Sequence, residues 1–555
     1  MEPLHDWAPL SETLDWRLGK LAYQARGVLT FTSNEVPNIA HQGGLVPYRA
    51  AEVLLASCQA AHDAGTLEDQ IVILEPGMGM GLFARQVLDR FQARCQQRGV
   101  DWYDRLLWYA TDAAPTVIRD VQKANIFAPH ARHVVLGQAD AAAPTRLTRI
   151  DTQRPVDLTG RVRAIFHSYV FCMLPMNLYR VDGPQIDVTI ARTVVSQPEH
   201  LQRYTHRSIE QLRQIVASED VDAALELVPL YPLLDLELGR APLSAASPSR
   251  ARVQQIARWI QDDQGTDGPT WVLDSHGAWT SLQASMGALR DDGFVLFRDY
   301  GPKTAADADQ QQLYQHYGAT IAVQINHYAL QKLAAAEGIQ MTAPPNEGDR
   351  LLKTRLVSRA EIPQVRAAFQ DAYDLADVEA LQARIDFARE APRAQIVSAY
   401  QAALAMEPGN WSLLTEAADA IYRRLQDPAQ AYELVRRSLA INPCYQAVAW
   451  DLLGEMFLDA GEMDQSQKAF ERARQINPEH ARVHAGLARL HHTRGEIEAA
   501  VKSAAEAVAW AEVDGLDAEI DVLNLFIQEL TQRRQLSRTL RGNRAAGGWH
   551  KRFSL

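Results

Sequence analysis

The sequence predicts a doubly wound α/β domain followed by an all-α domain of stacked helix pairs. An apolar segment, Ile71 to Leu74, leads through a glycine-rich turn into an amphipathic helix, which is the element order of a nucleotide-binding α/β domain. Two more apolar segments come next, and each is followed by an aspartate. In the last third of the chain, prolines recur every 35 residues, which is typical of helical repeats.

The first predicted strand, its turn and its helix are the most informative part of the chain. Ile71 to Leu74 has the continuous apolar character of a buried parallel strand. Gly77, Gly79 and Gly81 allow the backbone to turn tightly against a ligand. Phe83 to Arg98 then carries apolar residues three and four positions apart, which predicts a helix whose N-terminus faces the turn.

The spacing of the glycines discriminates between nucleotides. A dinucleotide fingerprint has its third glycine one position later, where this chain has Leu82, so a dehydrogenase is disfavoured. Glu75 instead places an acid two residues before the first glycine.

Two aspartates follow the next predicted strands. Asp112 comes directly after the segment from Arg105 to Thr111, and Asp140 comes shortly after the segment from His133 to Leu136. The carboxyl ends of parallel strands meet at one edge of a sheet, so we expect both acids near the glycine turn. With them present, a tight turn without a ligand is the weaker interpretation.

The segment from Glu75 to Gly81 resembles motif I of the class I S-adenosylmethionine (SAM) methyltransferases, whose domain is Rossmann-like. The resemblance implies that the turn passes under the methionine part of SAM, that Asp112 holds the ribose hydroxyls and that Asp140 holds the adenine amino group. SAM would be the cofactor and S-adenosylhomocysteine the product. The implied cofactor-binding residues are Glu75, Gly77, Gly79, Gly81, Asp112 and Asp140.

Roughly residues 20 to 360 resemble a narrower family, the MidA group, which is best known for dimethylating an arginine of a respiratory complex I subunit. His167 to Pro175 occupies the place of that group's A-N-E-F-F-D-A-L-P segment, and Phe294 to Gly301 ends in its Asp-Tyr-Gly. The segment from Glu35 to Tyr48 resembles the place where the group covers its cofactor, which implies a lid.

One departure from the MidA pattern concerns the acceptor. Ser168, Tyr169 and Cys172 stand where the group has Asn, Glu and Asp. Carboxylates grip a guanidinium and balance its charge, so their loss disfavours arginine and favours a neutral hydroxyl, amide or imidazole. His167 is then a candidate base and Tyr169 a candidate substrate contact, although a histidine at a strand end is often purely structural.

Asp299 and Tyr300 end the predicted fifth strand, where ligands of doubly wound sheets bind. Pocket lining and a structural role are both open for them. The candidate catalytic residues are therefore His167, Tyr169, Asp299 and Tyr300. No metal site is predicted.

An inserted subdomain is predicted at about residues 180–270, between the fourth and fifth strands. It contains a strand-like segment, Ile186 to Val195, and helical patterns over Leu201 to Ala217 and Arg250 to Ile260. Its position predicts that it overhangs the site.

The last third of the chain has the period of tetratricopeptide (TPR) repeats. Pro408, Pro443 and Pro478 are spaced close to the repeat length of about 34 residues. Between the last two, Trp450 and Phe470 occupy large-residue positions of the repeat. We expect about three stacked helix pairs and a cap from Ala518 to Arg534, with a concave surface that holds a peptide or partner, or else serves dimerisation.

Composition bounds the other properties. The chain has 555 residues, 47% of them hydrophobic, which suits two or three domains. A net charge of −12 argues against nonspecific nucleic-acid binding. The four cysteines have no CxxC spacing, no apolar run approaches about 18 residues, and the first residues lack a signal-peptide pattern, so we predict a cytoplasmic protein without membrane segments.

These observations predict a methyltransferase domain at residues 1–375, a TPR domain at 390–535 and a basic tail at 536–555. The favoured function is SAM-dependent methylation of a protein or peptide side chain, with the repeats recruiting the substrate or a partner. One alternative is a SAM-binding but inactive assembly factor. Another is a methyltransferase for small molecules whose repeats dock a partner or form a homodimer.

Overall fold

The computed structural model describes residues 1–33, 36, 44–218, 220–311, 315–317, 320–347, 352–374, 376–514, 516 and 519–532. They divide into two compact units, one spanning Met1–Gln382 and a second that begins at Ala383. The predicted basic tail at 536–555 lies outside the described residues. In the described part, no helix is both long enough and apolar enough to cross a membrane.

Seventeen strands are assigned within the described residues. In chain order they are β1 (Glu2–Pro3), β2 (Ala8–Pro9), β3 (Ile71–Pro76), β4 (Leu106–Asp112), β5 (Val134–Gln138), β6 (Arg146–Arg149), β7 (Pro155–Asp157), β8 (Val162–Ser168), β9 (Asn177–Asp182), β10 (Gln185–Val195), β11 (Leu234–Pro242), β12 (Thr270–Asp274), β13 (Leu289–Tyr300), β14 (Gln315–Tyr317), β15 (Thr320–Ala322), β16 (Gln340–Thr342) and β17 (Leu352–Ser358).

The helices of the first unit surround these strands. They are α1 (Leu14–Arg26), α2 (Leu29–Thr32), α3 (Leu45–Asp63), α4 (Leu82–Arg98), α5 (Pro115–Ala124), α6 (Ile209–Ala217), α7 (Val221–Leu225), α8 (Arg250–Gln264), α9 (His276–Ala288), α10 (Ala305–Ala308), α11 (His327–Ala336) and α12 (Pro363–Ala372), followed by α13 (Ala376–Glu390), which runs into the second unit.

Nine strands form the central sheet in the order β16-β17-β13-β8-β3-β4-β5-β6-β7. The strands from β13 to β5 in this order are parallel, and β17 is antiparallel to β13. The chain order reverses at β3, because β4 and β5 lie on one side of it and β8 and β13 on the other. The predicted doubly wound fold is confirmed, and ligands of such sheets bind at the carboxyl ends of the strands beside this reversal.

The central sheet is covered on both faces, which explains the continuous apolar character of its first strand. All six residues of β3 are buried. On one face, the rings of Trp108 and Phe166 stack at 5.4 Å and Phe83 of α4 packs on both. On the other face, Trp279 and Leu282 of α9 belong to the same buried cluster as the sheet residues.

Strands of the predicted insertion belong to a second sheet, which has six strands. Its longest strand, β10, matches the predicted strand-like segment and pairs with β9 and β11. The N-terminal strands β1 and β2 also pair with β10, although they precede it by more than 170 residues. Leu14, Leu18 and Leu21 of α1 pack in one cluster with Leu212 and Leu227, so the insertion supports α1.

The second unit is helical. Its helices are α14 (Ile396–Met406), α15 (Trp411–Ala420), α16 (Pro428–Ile441), α17 (Ala447–Asp459), α18 (Met463–Ile476), α19 (Ala481–Thr493) and α20 (Ile497–Asp514), and residues 519–532 are also helical. A Cβ added at Gly454 would lie only 2.7 Å from the fully buried ring of Phe470. This close packing explains why the repeat has a small residue at position 454. Part of the predicted cap, Ala518 to Arg534, lies outside the described residues.

Candidate functional site

A cavity of about 340 Å³ opens at the carboxyl edge of the central sheet, beside the reversal at β3. Its lining comes from the ends of β3, β4 and β8, from the segment after β5 and from the N-terminal helices. The lining residues are Lys20, Tyr23, Gln24, Phe31, Val36, Gly77, Gly79, Asp112, Ala113, Ala114, Asp140, Ala141, Ser168, Tyr169, Val170, Met173 and Leu174.

The glycine turn forms one wall of this cavity. Gly77 and Gly79 have φ angles of +69° and +52°, in the left-handed region that favours glycine. A Cβ on Gly77 would lie 2.7 Å from Val170, and one on Gly79 would lie 3.3 Å from Phe31. Gly81 does not line the cavity: it precedes the first residue of α4 with a φ of +71°. The predicted close approach of backbone to a ligand is therefore possible at Gly77 and Gly79.

Asp112 joins the glycine turn to the next strand. Its Oδ2 accepts a hydrogen bond from the Gly79 amide at 3.3 Å, and its Oδ1 accepts one from the Ala114 amide at 3.0 Å. Burial raises the pKa of this carboxyl to about 6, while these amide donors act to lower it. At neutral pH the side chain is a charged acceptor facing the cavity.

Asp140 supplies the second acid of the cavity. Its side chain is exposed, and its Oδ1 accepts a hydrogen bond from the Ala142 amide at 2.8 Å. The Ala139 amide donates to the carbonyl of Asp112 at 3.1 Å, which ties the two strand ends together. The structure therefore brings Asp112 and Asp140 to one cavity with the glycine turn.

Glu75 lies elsewhere. Its side chain is 3% exposed, and its Oε2 accepts a hydrogen bond from the indole Nε1 of Trp108 at 3.1 Å. Burial raises the pKa of Glu75 to about 8, with a further increase from Asp112 and an opposing effect from the Trp108 hydrogen bond. The geometry does not support the predicted cofactor contact, because Glu75 is inside the domain and is not among the cavity-lining residues.

Tyr169 lines the cavity from the turn after β8. Its φ of +55° is unusual for a bulky residue, and its amide donates to the Arg298 carbonyl at 2.9 Å. Ser168, Val170, Met173 and Leu174 line the cavity from the same turn. None of these five lining side chains is acidic, so the cavity presents no carboxylate at the end of β8.

His167 points away from the cavity. Its Nε2 lies 3.0 Å from Ser285 Oγ in α9, its ring packs 4.7 Å from that of Phe171, and burial lowers its pKa to about 3. A buried ring on the α9 face cannot reach a ligand in the cavity. The geometry does not support the predicted role of His167 as a base.

Asp299 and Tyr300 are also buried outside the cavity lining. Asp299 Oδ2 accepts a hydrogen bond from the Cys172 amide at 3.0 Å, and Oδ1 accepts one from the Tyr300 amide at 3.0 Å. Burial raises the pKa of Asp299 to about 6, and the amide donors oppose this. Asp299 thus holds the turn that carries Tyr169, and the contact with a substrate that was open for both residues is not supported.

Comparisons with known proteins agree with parts of this description. A family model for the tetratricopeptide repeat matches residues 457–515, which confirms the predicted repeat. No curated protein matches the chain.

Several solved structures resemble part of this chain weakly. A COG1565 superfamily member from Burkholderia thailandensis, crystallised with S-adenosyl-homocysteine, is 13% identical, with a TM-score of 0.41, and the match covers 65% of this chain and 90% of that one. Another structure from the same superfamily and organism is 14% identical, with a TM-score of 0.39 and the same coverage. The CurJ carbon methyltransferase is 9% identical, with a TM-score of 0.25, over 53% of this chain and 49% of its own.

The N-terminal helices of the cavity were not anticipated from the sequence. Lys20, Tyr23 and Gln24 of α1 and Phe31 of α2 all line the cavity. A sequence signal for α1 exists in the apolar spacing of its leucines, but that signal shows which face is buried and not what the opposite face covers. Most of the predicted lid, Glu35 to Tyr48, lies outside the described residues; Val36 lines the cavity, and α3 begins at Leu45.

Proposed function

We propose that the chain is a SAM-dependent methyltransferase whose cofactor occupies the cavity beside β3. The observation that carries the proposal is the placement of Asp112. It faces the cavity and accepts a hydrogen bond from the Gly79 amide, so that one strand end holds both the glycine turn and an acceptor for ribose hydroxyls.

The residues present fit the chemical groups of SAM. Asp112 offers a carboxylate to ribose hydroxyls, and Asp140 offers one to an adenine amino group. Without a Cβ, Gly77 and Gly79 let the side chains of Val170 and Phe31 pack directly on the turn at the cavity wall. Tyr23 and Phe31, whose rings lie 5.6 Å apart, would provide an apolar cover. Glu75 and Gly81 would act on the cofactor only indirectly, through the strand that contains Glu75 and the helix that Gly81 precedes.

The chemistry asks little of the protein's side chains. When bound, SAM supplies an electrophilic methyl group, so the protein's part is to align the acceptor and exclude water. Tyr169 and Ser168, at the end of β8, are the polar side chains best placed to orient an acceptor there. We assign Asp299 to positioning their turn.

The acceptor that this site favours is a neutral nucleophile. An arginine acceptor would need carboxylates beside the methyl group to hold its guanidinium. The lining side chains at the end of β8 are neutral, and the nearby acid, Asp299, is already bonded to the Cys172 amide. A hydroxyl, amide or imidazole needs no such counter-charge.

The acceptor class that we propose is a protein or peptide side chain. The support is the repeat match at residues 457–515, because stacked repeats commonly hold extended peptides. Binding a substrate on the same chain raises its effective concentration at the transfer site. The repeats would thus assist an acceptor that binds only weakly at the transfer site itself.

The test is transfer of label from [methyl-³H]SAM to protein fractions and to a small-metabolite extract, compared between wild type and Asp112→Ala. We expect label in protein that depends on Asp112. Label only in metabolites would contradict the protein acceptor and favour the small-molecule alternative. Cofactor binding without any transfer would contradict the proposed enzymatic activity and favour the alternative of a SAM-binding but inactive assembly factor.

A further inference from the structure

The cavity contains a lysine that the proposed function has not used. Lys20 is an exposed residue of α1 that lines the cavity, whereas the two charged lining residues named so far, Asp112 and Asp140, are acids. Among the described residues, Lys20 has no hydrogen-bond or ion-pair partner. A cation directed at a ligand cavity and left without a counter-ion is available to an anionic group of the ligand.

The contacts of α1 show at which end of the cavity Lys20 lies. A Cβ on Gly19, the preceding residue, would lie 3.6 Å from the Met173 side chain, in the turn after β8. At the other end of the helix, a Cβ on Gly27 would meet Thr116 and Asp120 of α5, the helix after β4. Helix α1 therefore crosses the cavity from the β8 side to the β4 side.

Lys20 lies on the β8 side of this crossing. It is seven residues from Gly27, which corresponds to about 10 Å along the helix axis. Tyr23 and Gln24, three and four residues further on, also line the cavity, so the three side chains form one face of α1 over the ligand. Lys20 is the member of that face nearest to Met173 and farthest from α5.

The proposed cofactor orientation, on which this inference rests, places the adenosine near Asp112 and Asp140. The amino-acid end of SAM then points from the β4 side toward the β8 side, where Lys20 lies. We propose that the Lys20 ammonium binds the carboxylate of the cofactor's amino-acid moiety. The cavity-lining residues include no second lysine and no arginine within the described part of the chain, and the sequence from Asn34 to Gly43 contains none.

The test compares SAM with decarboxylated SAM, which keeps the sulfonium and the amine but lacks the carboxylate. Calorimetry would measure the affinity of wild type, Lys20→Met and Lys20→Arg for both ligands. We expect Lys20→Met to bind SAM about tenfold more weakly than wild type, to bind decarboxylated SAM as wild type does, and to be largely rescued in Lys20→Arg. Lys123→Met, which removes an exposed lysine of α5 outside the cavity, is the matched control and should leave both affinities unchanged.

The outcomes separate this inference from the proposed function. If wild type binds neither ligand, the proposed function fails. If wild type binds SAM and Lys20→Met binds it equally well, the carboxylate contact is absent. If Lys20→Met weakens both ligands by the same factor, Lys20 acts through the shape of α1 and the inference is overturned.

Discussion

Glu75 is the residue whose environment departs most from the sequence-based expectation. Its carboxyl is buried against Trp108, and burial raises its pKa to about 8 from an unfolded value near 4.5. Below the unfolded pKa both states are protonated. As pH rises from there toward 8, the unfolded state loses its proton first, so the stability contributed by this group is progressively lost.

Glu75→Gln should remove this pH dependence. The amide oxygen still accepts from Trp108, and the side chain no longer titrates. We expect the variant to gain on the order of 1–3 kcal/mol in free energy of unfolding relative to wild type between about pH 4.5 and pH 8, measured by denaturant titration. Its affinity for SAM should not change, because Glu75 does not line the cavity; a loss of affinity at unchanged stability would reinstate the predicted cofactor contact.

The charge of Asp112 also depends on pH, and its loss at low pH should weaken ligand binding. Its pKa is raised to about 6, so the charged form that accepts hydroxyl hydrogen bonds prevails above that pH. We expect affinity for S-adenosylhomocysteine to fall about tenfold from pH 8 to pH 5, as the carboxylate is protonated. Asp112→Asn should bind weakly at both values, and an equally steep pH dependence in this variant would assign the effect to another group.

At this scale the sequence identifies which acids follow strands but not where their side chains point. Asp112 is the last residue of β4, Asp140 follows β5 by two positions, and both line the cavity. Glu75 and His167 are strand residues, and their partners, Trp108 and Ser285, are 33 and 118 positions away. Partners so distant in the chain are fixed by the tertiary fold and leave no local pattern.

Among the elements, the glycine turn gives a direct test because the chain contains a matched control. Gly77 and Gly65 have the same φ of +69°, but a Cβ on Gly77 would lie 2.7 Å from Val170, whereas a Cβ on Gly65 would meet nothing within 4 Å. Both alanine variants should lose about 1 kcal/mol of stability through the left-handed backbone. Only Gly77→Ala should also displace Val170.

We therefore expect Gly77→Ala to weaken S-adenosylhomocysteine binding at least about tenfold, and Gly65→Ala to leave it unchanged; one tenfold step corresponds to about 1.4 kcal/mol of binding free energy. Calorimetry measures the affinities and thermal unfolding the stabilities. Equal affinity losses in both variants would mean that the turn acts only through global stability.

The elements that could be predicted are those with long apolar periodicity. Strand β3 and helix α4 lie where the apolar run and the helical spacing indicate, to within two residues at each end. Helix α1 forms one side of the cavity only because it packs against the inserted sheet and α5, and no local pattern encodes either contact. The left-handed Tyr169 was equally hidden, because tyrosine carries no turn signal.

For the molecule as a whole, we predict that the helical repeats unfold independently of the first unit. Phe470 is fully buried in a cluster with Leu458, Val483 and Leu487 of the second unit. Phe470→Ala should destabilise that unit by about 3–5 kcal/mol, since it leaves a cavity that its neighbours fill only partly. Differential scanning calorimetry should show one transition at lower temperature and a second, stabilised by S-adenosylhomocysteine, unchanged.

Lys468→Ala changes an exposed residue of the same helix, α18, and should leave both transitions in place. If Phe470→Ala shifts both transitions together, the two units do not unfold separately. If the first unit keeps its SAM affinity while transfer to protein falls, the recruiting role proposed for the repeats gains direct support.

At this largest scale, proline spacing predicts the helical repeats, because a helix pair has a fixed length. The strand pairing of the first unit is harder to predict from the sequence. Strands β1 and β2 join the inserted sheet by pairing with β10, more than 170 residues later in the chain, and sequence patterns do not encode pairing over such separations.

The central claim is that the cavity beside β3 binds SAM, and calorimetric titration with S-adenosylhomocysteine tests it most directly. We predict micromolar binding to wild type that is lost in Gly79→Arg, which fills the glycine turn, and in Asp112→Ala, which removes the carboxylate. Wild-type protein that is folded and does not bind, or both variants binding as wild type does, would contradict the account.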